Sequence, residues 1–459
     1  MEAIRSAPMG ESNSARYTVS ITAHDTTEVE EKGDGPPENR PFLPYIAARF
    51  MGVALGRLSF RSIVLVFVAT SVVSAPLRAA AADLAAQARA LVGAEQGVYV
   101  EAEDGSVLVA QAAERAVHPA SVSKVPTTLA LLRKLGADHR FATRFAASGP
   151  LQGGVLQGDL VVEGSGDPFF VDENALLVLI ALHDQGVRRV AGEIAVRGRF
   201  LFNWESAGAA GRLQRALAGR IPAPTWSAVR AAEATRSDVP AKQPSLVFGD
   251  AKLPGAAAPV LLATHHSQPL VPLVKALNGY SNNIFAPFAD AAGGIAAVQA
   301  AARDSVPPAL RDEIVLGDGA GANPRNRLSP RAAVALLRAL GEELAKSRHT
   351  LADVLPVAGV DEGTLRHRLD GPGERGHVVG KTGTYGDYGA CALAGALRTR
   401  DRGVVYFAIL NHNVPIGVAR KRQDAFVRAL LASQHTDAWP YRRDEAPAFT
   451  RAEIVRAQP

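Results

Sequence analysis

The chain has 459 residues, and its 47% hydrophobic and 21% charged residues are ordinary for a globular protein of two or three domains. A formal net charge of +5, with no basic run interleaved with aromatic residues, argues against a nucleic-acid partner. The single cysteine, Cys391, excludes an intramolecular disulfide and a multi-cysteine metal site, and its apolar neighbours predict a buried small side chain.

The N-terminal part of the chain divides into two segments of different composition. Residues 1–50 are polar, contain proline and glycine without periodicity, and are predicted to be disordered. Residues 51–82 combine arginines, a short apolar core at 63–73 and an alanine run, which is the pattern of a secretory signal peptide. We therefore expect Met51 to be the working start, residues 1–50 to be an upstream over-extension, and the mature protein to be periplasmic. The alternative is an N-terminal membrane anchor, which the shortness of the apolar core disfavours.

The mature chain is predicted to begin with a helix, a hairpin and a second helix. Residues 81–91 have helical spacing, and two apolar stretches flank an Asp-Gly turn at 104–105. A helix that begins at Ser121 is expected to end at Gly136, because glycine readily caps a helix. Pro126 lies inside this helix and should loosen the hydrogen bond to Val122, since proline has no backbone N–H to donate. The first turn is therefore expected to be tight or kinked.

Residues 141–265 change the pattern and are predicted to form an inserted accessory domain. Strands are expected at 159–163 and 194–196, with a helix at 173–184 between them. The insertion leaves two segments for one catalytic core: 83–140 and 266–459.

The segment that follows the insertion predicts helices and strands in a mixed order. Ser329 is the expected N-cap of a helix that has Pro330 at its first position and runs through Leu340. A strand is expected to carry Lys381, and four other elements are expected at 270–276 (helix), 393–397 (strand), 404–410 (strand) and 424–431 (helix). Together with the N-terminal hairpin, these elements predict an α/β (α+β) core that both ends of the chain close.

Three short motifs follow one another along the chain: Ser121-Val122-Ser123-Lys124, Ser281-Asn282-Asn283 and Lys381-Thr382-Gly383-Thr384. The first motif supplies a hydroxyl nucleophile and an amine one helical turn away. The second adds a hydroxyl and a carboxamide, and the third places a cation on a strand that contains glycine. Each motif alone is common as an exposed lysine or a turn. Their combination and order indicate acyl transfer from a substrate that ends in a carboxylate.

The first motif is predicted to hold the nucleophile and its base. Burial and a second cation would lower the pKa of Lys124, so that its neutral amine can take the proton of Ser121. The backbone N–H of Ser121, at a helix start, and that of Thr384 are the candidate donors to an oxyanion.

The other two motifs are predicted to bind the substrate. Lys381 and Thr382 would hold its carboxylate, and Gly383 would let its backbone approach the strand closely. Ser281 would relay a proton to the leaving amine, and Asn283 would hydrogen-bond a substrate amide.

With these motifs, the chain resembles the D-alanyl-D-alanine carboxypeptidase/endopeptidase group of penicillin-binding proteins (type 4, low-molecular-mass class C) over nearly all of residues 83–435. Three further segments resemble that group: 159–168, 318–321 and 355–361. The resemblance implies a core like that of penicillin-binding proteins and serine β-lactamases, with an antiparallel sheet flanked by helices and an inserted accessory module. It also implies peptidoglycan stem peptides as substrates, cleavage of terminal D-alanine and often of the cross-bridge, and β-lactams as covalent inhibitors.

The chain departs from the resembled group at two places. Ala320 stands where the group has a serine in its D-G-S-G loop, so a polar contact is expected to be lost there. The gap between Ser121 and Ser281 is also short, with room for one full accessory domain instead of two, which puts the positioning of wall polymer and the endopeptidase activity in question.

Two other functions and a metal site fit the sequence less well. A serine β-lactamase would need an activated water, but no E-x-x-L-N string lies between the second and third motifs. A non-catalytic wall-binding or sensing protein would not need the intact motif side chains. His265 and His266 have no third ligand at metal-binding spacing, so neither a metal nor a cofactor is expected. The sequence leaves the oligomeric state open.

Overall fold

The computed structural model describes residues 83–249, 258–280, 284–386 and 389–457. The helices are α1 (83–92), α2 (Lys124–Leu135), α3 (Asp172–Asp184), α4 (Ala209–Leu217), α5 (Ala223–Ala232), α6 (Leu270–Tyr280), α7 (Phe285–Phe288), α8 (Ile295–Asp304), α9 (Pro330–Ala345) and α10 (Ile416–Ser433). The longer strands are β1 (Gly97–Ala102), β2 (Val107–Gln111), β3 (Ala142–Ala147), β6 (Leu160–Ser165), β8 (Ile194–Arg199), β10 (Val260–His266), β13 (Val378–Tyr385), β14 (Ala390–Thr399), β15 (Gly403–His412) and β17 (Glu453–Arg456). The two-residue strands are β4 (Leu151–Gln152), β5 (Val155–Leu156), β7 (Arg189–Val190), β9 (Val247–Phe248), β11 (Ile314–Val315), β12 (Arg327–Leu328) and β16 (Thr436–Asp437).

The first large sheet is antiparallel and is built from both ends of the described chain. Its strand order is β13-β14-β15-β1-β2, and β16 pairs with β14. Buried side chains of α2, α6, α8 and α9 pack on one face, while those of α1 and α10 pack on the other. The predicted α/β core, with an antiparallel sheet flanked by helices, is confirmed.

A second sheet has the strand order β17-β10-β3-β6-β8. Its pairs are antiparallel except β6 and β8, which run parallel because α3 lies between them in the chain and makes the crossover. The apolar side chains of α3, α4 and α5 form a separate buried cluster with the strands of this sheet. The strands and helix expected in this region are confirmed, with α3 one residue longer than predicted.

The last strand of the chain joins this second sheet and not the first. Residues 453–456 of β17 pair with residues 263–266 of β10, and Phe449 belongs to the buried cluster of α3. The sequence had assigned all of 266–459 to the catalytic core, so the structure differs for this tail. Whether residues 141–265 form a separate domain stays a prediction.

Local sequence signals explain how the elements near the motifs begin and end. The predicted hairpin is formed by β1 and β2, and α2 ends before Gly136, whose φ is +87°. A 3-10 turn at Ala120–Ser123 precedes α2, in accord with the expected tight first turn. Ser329 caps α9 through a hydrogen bond from the backbone N–H of Ala332.

Three helices of the catalytic core are longer than the sequence predicted, and one segment was not tested. The helix α6 runs four residues beyond the expected 270–276, α9 runs five residues beyond the expected Leu340, and α10 begins eight residues before the expected 424. The predicted disordered segment and signal peptide, residues 1–82, lie outside the described residues. Within the part of the chain that is described, no helix is both long and apolar enough to cross a membrane.

Candidate active site

The first motif forms a strained turn at the start of α2. Ala120 has a φ of +47°, in the left-handed region that residues other than glycine rarely adopt. Lys124 is the first residue of α2, and helical side chains lean back over the preceding turn. Its Nζ lies 2.8 Å from Ser121 Oγ. The predicted nucleophile and its predicted base are therefore in hydrogen-bond contact.

The surroundings of Lys124 favour its neutral form. The side chain is fully buried, which is rare for lysine. Burial lowers the pKa of its amine to about 7, although the carboxylate of Asp318 acts in the opposite direction. An amine with this pKa is partly uncharged at neutral pH and can accept the proton of a serine hydroxyl.

The loop that holds Ala320 contacts this pair through its backbone. Lys124 Nζ donates a hydrogen bond to the carbonyl oxygen of Ala320, and Ser121 Oγ lies 3.4 Å from the same oxygen. The Asp318 carboxylate accepts hydrogen bonds from three successive backbone N–H groups, those of residues 320–322, and fixes the loop. The loop therefore makes its polar contact with the lysine through a backbone carbonyl, which an alanine supplies as well as a serine.

Two glycines allow the loop and the third motif to pack against the nucleophile turn. A Cβ on Gly321 would lie 2.0 Å from the carbonyl oxygen of Ala120, and one on Gly383 would lie 3.0 Å from the backbone nitrogen of Ser121. Both distances are shorter than ordinary van der Waals contacts. The space at Gly383 is therefore filled by the protein's own turn, while the predicted approach of a substrate there stays a prediction.

The third motif lies on β13, at the edge of the first sheet. Side chains alternate between the two faces of a strand. Val379 packs in the cluster of α2 and α9, so Lys381 and Gly383 share that face with the nucleophile turn. Val378 packs in the cluster of α10, so Thr382 and Thr384 face α10. The motif thus presents its lysine and its threonines on opposite faces.

Lys381 is fully buried on the face of the nucleophile turn. Its Nζ donates to the carbonyl oxygen of Thr382 at 3.1 Å. Burial, together with the nearby Lys124 amine, holds the pKa of Lys381 well below its usual range. The second cation that the sequence predicted near Lys124 is therefore present. The repulsion between the two amines, however, lowers the pKa of Lys381 and not that of Lys124.

The second motif lies outside the described residues, so the roles of Ser281 and Asn283 stay predictions. The helix that leads to it is firmly placed. Asn278, in the last turn of α6, donates to the carbonyl oxygen of Val354 at 2.9 Å and lies 3.4 Å from Thr128 Oγ1 on α2.

Several residues outside the predicted site contact the motifs or the turn beside them. His118 Nδ1 accepts the backbone N–H of Ala120 at 3.1 Å, its Nε2 lies 3.0 Å from the carbonyl oxygen of Asn323, and its ring stacks on Tyr385 at 4.0 Å. Thr382 Oγ1 donates to Thr364 Oγ1 at 2.8 Å. Arg420 of α10 donates from its Nη2 to Thr384 Oγ1 at 3.1 Å. No local pattern marks His118 or Arg420, whereas the D-G-A-G string did mark the loop of Asp318.

His265 occupies a buried structural position in the second sheet. Its Nε2 lies 3.0 Å from Asn174 Nδ2, and burial lowers the pKa of its ring to about 3. Among the described residues, no group of three or more histidine, cysteine, aspartate or glutamate side chains is placed to hold a metal ion.

A serine that is hydrogen-bonded to a buried lysine, beside the edge strand of an antiparallel sheet, defines a site for serine-type acyl transfer. The chain belongs to the family described as D-Ala-D-Ala carboxypeptidase 3 (S13), whose model matches residues 77–200 and 245–433. A curated relative, the D-alanyl-D-alanine carboxypeptidase of Actinomadura sp. (strain R39), is 38% identical over 107 residues. That match spans 23% of this chain and only 20% of the relative's length.

Solved structures share the fold over most of their length. A predatory endopeptidase of Bdellovibrio bacteriovorus, in complex with an immunity protein, has a TM-score of 0.67 at 23% identity and covers 78% of this chain and 99% of its own. A second predatory endopeptidase of that organism, acylated by penicillin G, has a TM-score of 0.66 at 21% identity, with coverage of 78% and 99%. Penicillin binding protein 4 of Haemophilus influenzae has a TM-score of 0.53 at 20% identity, with coverage of 76% and 99%. At these identities the likeness establishes the fold, as the sequence predicted.

Proposed function

We propose that this protein is a serine-type D-Ala-D-Ala carboxypeptidase that acts on peptidoglycan stem peptides through an acyl-enzyme. The observation that carries the proposal is the 2.8 Å contact between Ser121 Oγ and the buried amine of Lys124, whose pKa is about 7. Membership of the S13 family supports the same activity.

The reaction would proceed in two steps, acylation of Ser121 and hydrolysis of the acyl-enzyme. Lys124 takes the proton of Ser121, and Oγ attacks the carbonyl carbon between the two D-alanines. The backbone N–H groups of Ser121 and Thr384 stabilise the oxyanion. Ser281 relays the proton that Lys124 took to the leaving amine as the C–N bond breaks, which releases D-alanine and returns Lys124 to its neutral form. Water then attacks the acyl-enzyme with Lys124 as its base. The proton passes to Ser121 Oγ as the ester bond breaks, and the shortened peptide leaves as a carboxylate.

A test with penicillin separates Ser121 from its neighbour. Ser123 is a buried hydroxyl two residues away in the same turn, so Ser123→Ala is a matched control for Ser121→Ala. A labelled penicillin should mark the wild type and Ser123→Ala but leave Ser121→Ala unmarked. Label that persists in Ser121→Ala would overturn the assignment of the nucleophile.

A second test concerns the products. Purified muropeptides incubated with the wild type should lose D-alanine, as determined by mass. Loss of the cross-bridge as well would support the endopeptidase activity that the names of the two Bdellovibrio enzymes carry. Rapid turnover of a chromogenic cephalosporin would instead favour a β-lactamase. Muropeptides that bind the protein but are not cleaved would favour a wall-binding role.

The periplasm is the proposed location. The arginines, short apolar core and alanine run of residues 51–82 support export. N-terminal sequencing of protein from the native host should find a start near Ala82. A start at Met1, or protein that stays in the membrane after a high-salt wash, would contradict export and cleavage.

A further inference from the structure

Arg420 is placed where a ligand's carboxylate would meet the third motif. It lies near the start of α10, which packs against the face of the first sheet that carries Thr382 and Thr384. Its guanidinium Nη2 donates to Thr384 Oγ1 at 3.1 Å. This contact holds the guanidinium beside the open edge of β13.

The charge of Arg420 is not used within the described protein. Its hydrogen-bond partner, the Thr384 hydroxyl, is a neutral group. In the ranges that the structure describes, no ion pair joins Arg420 to a carboxylate, although the side chain is exposed. Arginine stays charged at all ordinary pH values and binds carboxylates with two parallel N–H groups.

The lysine of the motif is poorly suited to be the whole counter-charge. Lys381 is fully buried beside the Lys124 amine, which repels its charge. It is costly for both amines of this buried pair to be positively charged at the same time. A carboxylate that contacts the two threonines would therefore find its permanent cation on α10.

We propose that Arg420 is a specificity-determining residue that binds the terminal carboxylate of the substrate together with the hydroxyl of Thr384. The proposal rests on the proposed carboxypeptidase function, because it assigns the group that recognises the C-terminal D-alanine. The third motif predicts this role for Lys381 and Thr382, and the geometry adds a residue from a distant helix.

The experiment compares two substrates that differ only in the terminal group. A stem pentapeptide ending in D-Ala-D-Ala and the same peptide with a terminal carboxamide are assayed for cleavage between the D-alanines. Arg420→Ala should lower kcat/KM for the carboxylate peptide by roughly 10- to 100-fold, as expected for loss of a charged hydrogen bond, and should leave the carboxamide peptide unaffected. Arg420→Lys, which keeps the charge but not the fork of donors, should fall between these values.

Arg422→Ala is the matched control, since Arg422 lies two residues further along α10 and is directed towards Gly93. It should preserve the ratio of the two substrates. If Arg420→Ala leaves the ratio of kcat/KM for the two substrates unchanged, whether both values fall equally or neither falls, the proposal is overturned. Thermal unfolding of each variant identifies a folding defect, and Arg420→Lys then decides through the same ratio.

The wild type separates this proposal from the proposed function. Release of D-alanine from the carboxylate peptide by the wild type, with no change of ratio in Arg420→Ala, overturns only the role of Arg420. A wild type that releases no D-alanine overturns the carboxypeptidase function itself, and with it the proposal.

Discussion

The chemistry of the site depends on the protonation of one residue, Lys124. A lysine in water is almost wholly charged at neutral pH and cannot act as a base. Burial changes this, because the charged form loses its hydration, and the amine then has a pKa of about 7. The nearby Asp318 limits the shift and so keeps the pKa close to the working pH.

We predict that the rate of acylation by penicillin follows the fraction of neutral Lys124. The rate should fall about tenfold for each pH unit well below 7 and level off above it, because only the uncharged amine can take the serine proton. Stopped-flow or quenched labelling across this pH range measures the profile. A rate that is flat between pH 5 and about 7 would contradict the assignment.

The Lys124→Ala variant should acylate about 10²- to 10⁴-fold more slowly, the usual cost of losing a general base. Lys134→Ala, an exposed lysine on the same helix, should acylate as the wild type does. The two variants are compared by the rate of penicillin labelling. Near wild-type labelling of Lys124→Ala would refute its role as the base.

His118 is predicted to position the nucleophile turn through its Nδ1 acceptor and its stacked ring. Its Nε2 also lies 3.0 Å from the carbonyl oxygen of Asn323, a contact that both variants below remove equally. His118→Phe keeps a ring to stack on Tyr385 but removes the acceptor for the Ala120 N–H, whereas His118→Asn keeps an acceptor and removes the ring. An unsatisfied, partly buried N–H costs about 1–3 kcal/mol, so we expect His118→Phe to acylate more slowly than His118→Asn. Labelling rates and melting temperatures of the two variants test this order, and the reverse order would assign the role to the stack.

At the scale of elements, the turn, the loop and the edge strand form one unit because glycine lets them touch. We predict that Gly321→Ala slows acylation strongly, since its new Cβ would lie 2.0 Å from the carbonyl oxygen of Ala120 and displace the nucleophile turn. Gly105→Ala is the matched control, because Gly105 has a similar φ of +84° but no atom within 4 Å of the added Cβ.

Both variants pay the strain of a non-glycine residue at positive φ, about 1 kcal/mol or more, and should therefore lose stability. Only Gly321→Ala should lose labelling rate in its folded form. Equal labelling rates in the two variants would show that the close approach of the loop does not position Ser121.

The sequence predicted the elements near the motifs because their signals are local. The Asp-Gly turn, the cap at Ser329 and Pro126 act within a few residues of themselves. The contact between Ser121 and Lys124 follows from helical spacing in the same way. By contrast, Arg420 reaches a motif from a distant part of the chain, and only the packing of α10 against the sheet brings them together.

At the scale of the whole molecule, the sequence could not place the C-terminal tail. A four-residue strand carries a weak pattern, and its partner, β10, lies nearly two hundred residues earlier in the chain. The pairing of two strands that lie so far apart in the chain leaves no periodic pattern in the sequence. The second sheet is thus completed by a strand that was assigned to the other part of the protein.

This tail should stabilise the second sheet without affecting the chemistry. Phe449 is buried in the cluster of α3, which is separate from the cluster around α2, so Phe449→Ala should lower the free energy of unfolding by roughly 3 kcal/mol. Val455→Ala, on the exposed side of β17, should change it by less than about 0.5 kcal/mol. Denaturant unfolding measures both values.

Penicillin labelling of the folded fraction provides the second measurement on these tail variants. Because Phe449 contacts neither the nucleophile turn nor α2, folded Phe449→Ala should be labelled at the wild-type rate. A labelling rate that falls together with stability would mean that the second sheet positions the catalytic residues. The tail would then act on the reaction through the packing between the sheets, and the buried clusters of the two sheets would not be energetically independent.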